Sequence, residues 1–368
     1  MNIHERLAKE AAASPEATPV RLPSALIDSR LDHAGIARPR VSFIVTNYNY
    51  GPYILECLDS VARQTYADWE CIVVDDVSTD GSQAAIRTYV AADTSGRFHF
   101  LERPQNGGQM EAFRDGLAVA TGSFVVMLDA DDVLLEDFIE AHLRAHLTVA
   151  TVAFTSTNQY QINSAGDVIG GQHMDHQSKG YYRHVRKTSF QQGFWIWATS
   201  SSMMFRRSTL ECIMPTDGTT FRICADYYLA HFCNLIGDSL LVPTIHGCYR
   251  RHEKNNFASN PVLGNINSVG DLTKHPPHDL FRTTMIRHVL NNYDRFFPIF
   301  MEKGLVNFLL RLVKMRELPR LVRQYPNVFP RSLGHYLRLA YAYSREKRHI
   351  PASEKCKIIP VSQAAARD

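Results

Sequence analysis

The chain of 368 residues has no Cys-x-x-Cys pair and no apolar stretch approaching the roughly 18 residues that a membrane crossing requires. Its seven cysteines, Cys57, Cys71, Cys212, Cys224, Cys233, Cys248 and Cys356, are odd in number and widely spread, which argues against a disulfide-framed secreted domain. The opening MNIHERLAKE is too charged for a secretory signal. A membrane-spanning enzyme is therefore excluded, and a reduced, cytoplasmic protein is expected. A strong excess of one charge is lacking as well. The formal net charge is +3, the pI is near 8.4, and the basic cluster YYRHVRK is short, so no nucleic-acid partner is expected.

What the chain does have is the segment Phe124 to Leu134, FVVMLDADDVL. Five apolar residues in an unbroken run suit a strand buried on both faces, and the run stops at Asp129, Asp131 and Asp132. Carboxylates at a strand's carboxyl end occupy the edge of an open α/β sheet where ligands bind, and their mutual repulsion calls for a cation. Mg²⁺ or Mn²⁺ carrying substrate phosphates answers that demand. Helix capping by Asp131 or Asp132, for a helix starting near Leu134, would account for one acid and leave the others unexplained.

The surrounding sequence supplies the rest of an α/β sheet. Strands are expected at VSFIVTNYN, CIVVDD and FHFLER, with helices over Ile54, Leu55, Leu58 and Val61, over Ile86, Tyr89 and Val90, and from about Gly108 to Ala120. This rhythm predicts a mostly parallel sheet flanked by helices, whose ligand edge collects Asn47, Tyr48, Asp75, Asp76, Asp129 and Asp131. A less regular stretch follows. TVAFTSTNQY reads as a strand, 164–180 as a long loop, SSMMFRRSTL as a strand running into a helix, and Asp226 to Leu235 as a helix. The aromatic group Phe190, Phe194, Trp195 and Trp197 suits either a core or a sugar-stacking platform. His246, Cys248 and His252 have no common zinc spacing and no evident fourth ligand.

Residues 1–39, interrupted by Pro15, Pro19, Pro23 and Pro39, read as a loosely packed N-terminal arm. Residues 40–256 form the main domain, in halves of 40–133 and 134–256. Residues 276–350 form a C-terminal helical region, with apolar helical spacing at Met285, Ile286, Val289, Leu290, Tyr293, Phe296 and Phe297, then Leu305, Val306, Leu309, Leu312 and Val313, then Leu333, Leu337 and Tyr341. A tail occupies 351–368. Between residues 301 and 350 there are eleven Lys and Arg against three Glu, a balance of +8. That is either a solvated helical face or a docking surface for the inner face of the cell membrane.

The stretches VSFIVTNYNYGPYILECLDSVARQTYADWECIVVDDVSTDGS and NGGQMEAFRDGLAVATGSFVVMLDADD resemble the family 2 glycosyltransferases with their GT-A type nucleotide-sugar-binding fold. The Ala225-Asp226 pair and YRRHEKNN resemble them more loosely. The resemblance implies an inverting transfer of a sugar from a nucleotide sugar, with UDP as the expected carrier, to the hydroxyl of a glycan, lipid-linked or other acceptor, as in polysaccharide or glycoconjugate biosynthesis. It implies that Thr46, Asn47 and Tyr48 border the nucleotide and that Asp75 and Asp76 hold base and ribose, a task carboxylates suit because they accept N–H and O–H donors. It further implies Asp131 as a direct metal ligand, Asp129 on ribose or metal-bound water, Gln109 near the donor, Arg250 and His252 near the donor phosphates with His252 a possible metal ligand, and Asp226 as catalytic base. Where the family often has Gly after the acid pair, Val77 stands; where it commonly has two acids, Ala225 precedes Asp226. The rival readings are an inactive nucleotide-sugar-binding scaffold of the same fold and a nucleotidyltransferase, although TNYNYGPY lacks the latter's Gly-rich basic loop.

Overall fold

The computed structural model describes residues 38–149, 151–185, 195–252, 255, 276–299, 309, 312–314, 316–326 and 356–359. Strands β1 (Val41–Asn47), β2 (Trp69–Asp75), β3 (Phe98–Glu102) and β4 (Phe124–Asp129) alternate with helices α1 (Ile54–Ala62), α2 (Ser82–Ala92) and α3 (Gln109–Val119). β1 pairs in parallel with β2 and with β4, and β2 with β3. The apolar runs form central strands because both faces are covered. Ile44, Ile72, Val74, Val125 and Met127 point into one core, while Phe43, Val45, Cys71, Val73, Val126 and Leu128 point into the other. Each such side chain contributes roughly 1.5–3 kcal/mol of burial.

Gly116 lets α3 lie against the sheet, since a Cβ there would come within 2.4 Å of Ile44 and 3.2 Å of Val74. This close seat fixes the N-terminus of α3, and with it Gln109, over the sheet edge. Leu55, expected on the inner face of α1, is instead 42% exposed, while Ile54, Leu58 and Val61 are fully buried.

The second half follows a different rule. It comprises β5 (Val133–Leu134), α4 (Phe138–Thr148), β6 (Phe154–Ile162), β7 (Val168–Gly170), β8 (Tyr182–Val185), β9 (Met203–Arg206), α5 (Arg207–Ile213), α6 (Ala225–Gly237) and β10 (Ser239–Arg250). β9 pairs antiparallel with β4 and with β6, and β10 runs parallel to β6. The parallel order expected from the first-half rhythm holds there, and the less regular half beyond β4 pairs in mixed fashion. Two reversals across β9 leave β6 and β10 running in the direction of β4, so their carboxyl ends share its edge. The helix expected near Leu134 begins at Phe138, after the cap position Asp137, because Val133–Leu134 is spent pairing with β10. Capping therefore cannot account for Asp131 or Asp132. The expected loop 164–180 contains β7, which pairs with β6.

Helix α7 (His278–Asn291) buries Met285, Ile286, Val289 and Leu290 as their spacing predicts, and they join the core that includes Phe232 and Tyr228 of α6. Helix α8 (Leu318–Gln324) and strand β11 (Cys356–Ile359), which pairs with β8, complete the described elements. Leu305, Val306, Leu333, Leu337, Tyr341 and most of the basic residues between 301 and 350 lie outside the described residues, as do Phe190, Phe194 and residues 1–37. Among the described residues, no helix is long and apolar enough to cross a membrane. Six of the cysteines are buried and free.

Candidate active site

A cavity of about 640 Å³ runs along the carboxyl edge of the sheet, from β1 and β2 past β4 to β6 and β10. Thr46, Asn47, Tyr48, Asp76, Gln109, Asp129, Asp131 and Asp226 all line it. Asp75, Arg250 and His252 do not.

Asp75 is a buried knot. Its carboxylate accepts from Asn47 Nδ2 (2.6 Å), Ser78 Oγ (2.6 Å), the Ser78 amide (2.9 Å) and Gln83 Nε2 (2.6 Å). A carboxylate offers about four acceptor positions, so Asp75 has little capacity for a ligand. Asp76 faces the cavity, accepting from Arg103 Nη1 (2.5 Å) and the amides of Gly107 (2.8 Å) and Gly108 (2.7 Å). On the same count Asp76 keeps one acceptor position for a base N–H or a ribose hydroxyl. Gly108 is required here, since its φ is +87° and a Cβ would stand 2.4 Å from Arg222 Cα.

Val77, between these acids and the turn, has φ of +67°, a conformation that β-branched residues strongly resist. The loop thus keeps the shape a glycine would adopt readily and stores strain of about 1–3 kcal/mol. Val77→Gly should raise the melting temperature by about 1–3 °C, allowing for the entropy that glycine returns to the unfolded chain. A fall of that size in a thermal melt would show that the turn is not strained.

At β4 the acids crowd. Asp129 accepts from Gln109 Nε2 (2.9 Å) and Ser200 Oγ (2.5 Å), and its backbone N–H donates to Ser201 Oγ (3.1 Å). Burial first, then the charges of Asp131 and Asp226, push the Asp129 carboxyl up to about 7. Asp131 Oδ2 lies 2.9 Å from His252 Nε2, with both side chains buried. Asp132 is fully buried beneath the cavity, where it accepts from the Arg250 amide (2.9 Å); burial, then Asp131, hold it well above the usual carboxylate range. Arg250 is a strut. Its guanidinium donates to Glu56 Oε2 (2.5 Å) and to the carbonyls of Asp131 (2.7 Å), Asn163 (3.2 Å) and Ser164 (3.3 Å). Its neighbour Arg251 lines the cavity and donates to Gln161 Oε1 (3.1 Å).

Asp129 and Asp131 line the cavity, and His252 lies against Asp131. Two carboxylates and an imidazole are donors that Mn²⁺ or Mg²⁺ accepts. Among the described residues, no group of three or more His, Cys, Asp and Glu is arranged to hold a metal ion by itself. Such a set suits an ion that completes its shell with water and substrate phosphate. His246 is directed elsewhere, with Nδ1 2.8 Å from Asp137 Oδ1.

Asp226 lies in the first turn of α6, after Cys224 at φ of +60°. One carboxylate oxygen accepts the Tyr227 amide at 2.8 Å, so Asp226 also serves its helix terminus. Gln109 joins this helix to the acid cluster: Nε2 donates to Asp129 while Oε1 accepts the Ala225 amide at 3.1 Å. Gln109→Glu keeps the shape, deletes the donor and adds a further negative charge beside Asp129 to those of Asp131 and Asp226. Its kcat should fall by about 10- to 100-fold with little change in melting temperature, the cost of one misplaced hydrogen-bonded group. Wild-type turnover would deny the clamp a role.

Several residues lining the cavity escaped sequence reasoning: Gln161, His173, Ser200, Arg222, Tyr227 and Arg251. Of these, Arg251 and Tyr227 adjoin motifs that were legible; the others carry no spacing that marks them. The aromatic group divides. Trp197 is 1% exposed and its Nε1 donates to Ser239 Oγ (3.0 Å) in the core, whereas half-buried Trp195 lines the cavity.

Residues 42–214 match the model of glycosyl transferase family 2. An uncharacterized glycosyltransferase of Nostoc sp. is 30% identical over 221 residues, covering 60% of this chain and 67% of that protein. The glycosyltransferase GlyG of Streptococcus pneumoniae is 32% identical over 151 residues, covering 41% of this chain and 45% of that one. The chain thus spans two thirds of the first relative and less than half of the second. Among solved structures, residues 1–349 of TarS from S. aureus in complex with UDP-GlcNAc align with a TM-score of 0.48 and 16% identity over 79% of this chain and 82% of that one. The fold is of the GT-A type, and its acids gather at the carboxyl edge of the sheet. The chain belongs to glycosyl transferase family 2.

Proposed function

We propose that this chain transfers a sugar from a nucleotide sugar, with UDP as its expected nucleotide, to an acceptor hydroxyl with inversion at the anomeric carbon. The observation that carries the reading is the convergence of Asp76, Asp129, Asp131 and Asp226 on one cavity, with Gln109 hydrogen-bonded to both the acid cluster and the Asp226 helix. In this reading Asp76 and the β1 terminus (Thr46, Asn47, Tyr48) hold the nucleoside. Asp75 acts through the buried knot that sets Asn47, and Arg250 through the support it gives the Asp131 loop.

Asp131, Asp129 and His252 would hold Mn²⁺ or Mg²⁺, which when bound neutralises charge growing on the departing diphosphate. Asp226 takes the proton of the acceptor hydroxyl as its oxygen bonds to the anomeric carbon, while the bond from that carbon to the diphosphate oxygen breaks. Against the inactive-scaffold reading stands the presence of Asp76, Asp129, Asp131 and Asp226 together on one cavity. The test is a panel of UDP-, GDP-, ADP- and TDP-sugars scored for nucleoside diphosphate release with Mn²⁺. Release from at least one donor supports the reading, and a protein that binds a nucleotide sugar but releases nothing with any acceptor supports the scaffold.

A further inference from the structure

On the β6 and β10 side of the acid cluster, the cavity wall becomes aromatic. Trp195 and Tyr227 both line it, with rings 5.8 Å apart and 13° from parallel. Each is braced from behind. Trp195 Nε1 donates to the Ala198 carbonyl (3.0 Å) and its ring meets the edge of Trp197 at 5.4 Å; Tyr227 packs on His231 at 4.4 Å and on Phe281 of α7 at 4.8 Å. The wall is therefore held in place before any ligand arrives, which spares a ligand the entropy of ordering it.

Its position relative to the chemistry is defined by the chain. Tyr227 follows Asp226 directly, and Trp195 lies five residues before Ser200, whose hydroxyl binds Asp129. Asp76 and the rest of the nucleoside end lie across β4, over β1 and β2. Polar residues, Thr199, Gln161, Asp175 and Arg251, line the same cavity beside the apolar Met174, Ala198 and Ile223. A lipid chain would need apolar walls throughout, whereas a pyranose ring has an apolar C–H face and a rim of hydroxyls. It matches an aromatic wall opposite hydrogen-bonding groups.

We propose that Trp195 and Tyr227 form an acceptor subsite that stacks a pyranose ring beside Asp226, so that the acceptor is a saccharide. This rests on the glycosyltransferase reading above and narrows its substrate class. The hydroxyl to be glycosylated belongs to the stacked ring or the one next to it. Trp195 thereby becomes a specificity-determining residue for the acceptor and plays no part in donor binding.

The experiment uses the full chain with UDP and Mn²⁺, and again without them. Methyl glycosides of glucose, N-acetylglucosamine, galactose and glucuronic acid are titrated, with 4-hydroxybenzoate and octyl alcohol as non-saccharide probes. Binding is read by saturation-transfer NMR and by tryptophan fluorescence. Of the three tryptophans, Trp69 and Trp197 are 0% and 1% exposed, so a ligand at the wall is reported by Trp195. At least one glycoside should bind saturably and quench the wild type. Trp195→Ala and Tyr227→Ala should weaken it by about tenfold or more, Trp195→Phe should retain most of the affinity, and UDP affinity should be unchanged in all three. The proposal is overturned if no glycoside binds, if a binding glycoside is indifferent to Trp195→Ala and Tyr227→Ala, or if only the phenol or the alcohol competes at the wall. Donor hydrolysis in the same samples separates the two readings. Hydrolysis that persists without any saccharide effect removes the platform alone, whereas absence of both UDP binding and hydrolysis removes the glycosyltransferase reading.

Discussion

Asp226→Asn should yield a folded protein that binds its nucleotide sugar as the wild type does and transfers the sugar about 10²- to 10⁴-fold more slowly, the usual contribution of a positioned general base. The amide keeps the side-chain oxygen that accepts the Tyr227 amide at 2.8 Å, so the first turn of α6 is preserved. What it loses is the ability to take a proton. Donor affinity should be spared because the proposed nucleoside contacts, Asp76 and the β1 terminus, come from β1 and β2, whereas Asp226 belongs to α6. Removal of the negative charge has a second consequence. Asp226 is one of the charges that raise Asp129, so the Asp129 carboxyl should ionise at slightly lower pH in the variant. Transfer at near wild-type rate would dismiss Asp226 as the base. So would a loss of rate matched by an equal loss of donor binding.

Asp131→Asn should abolish the stimulation of UDP binding by Mn²⁺ that the proposed function expects, because the diphosphate would then meet an acidic edge with one ligand fewer for the ion that separates them. The wild type should carry a pH signature of the same site. With its folded value near 7 and an unfolded value of about 4, Asp129 holds a proton in the folded protein across a range where the unfolded chain has released it. The folded state binds more protons in that window, so ion-free protein loses stability as pH rises from about 4 through about 7. A cation competes with that proton. Affinity for Mn²⁺ should therefore fall by about tenfold per pH unit below 7 and level off above it. Calorimetric titration of Mn²⁺ at pH 6, 7 and 8 checks this, and a flat profile would remove Asp129 from the ion's surroundings.

How much of this was legible in the sequence depends on what each residue's role needs. The first half of the sheet was readable because the unbroken apolar runs of β1, β2 and β4 have few alternatives, and because their acids fall at the ends of those runs. The gathering of Asp76, Asp129 and Asp131 followed from that order. Which of two adjacent residues turns toward the cavity did not. Neighbours along an extended chain point to opposite sides, so Asp75 and Asp76, or Arg250 and Arg251, exchange roles with a shift of one residue in register. Only the bulged pairing of β10 with β6 decides that Arg250 braces Glu56 while Arg251 enters the cavity.

Ser200 and Gln161 were invisible for another reason. Each reaches the site through pairings between segments far apart in the chain, and a serine or glutamine carries no pattern of its own. The aromatic group shows both limits. Composition could suggest either a core or a platform, and the fold assigns Trp197 to the one and brings Trp195 to the cavity wall. Val77 was legible as a departure from the family pattern; that it adopts a glycine-like φ of +67° required coordinates.

The most direct measurement is calorimetric titration of UDP, with GDP and ADP alongside, into the full chain with and without Mn²⁺. Saturable one-to-one binding of a nucleoside diphosphate, UDP foremost, is expected, dependent on the ion and lost in Asp131→Asn while the protein remains folded. Absence of nucleotide binding in the presence of Mn²⁺ or Mg²⁺, or equal UDP affinity in the wild type and Asp131→Asn with and without the ion, would contradict it.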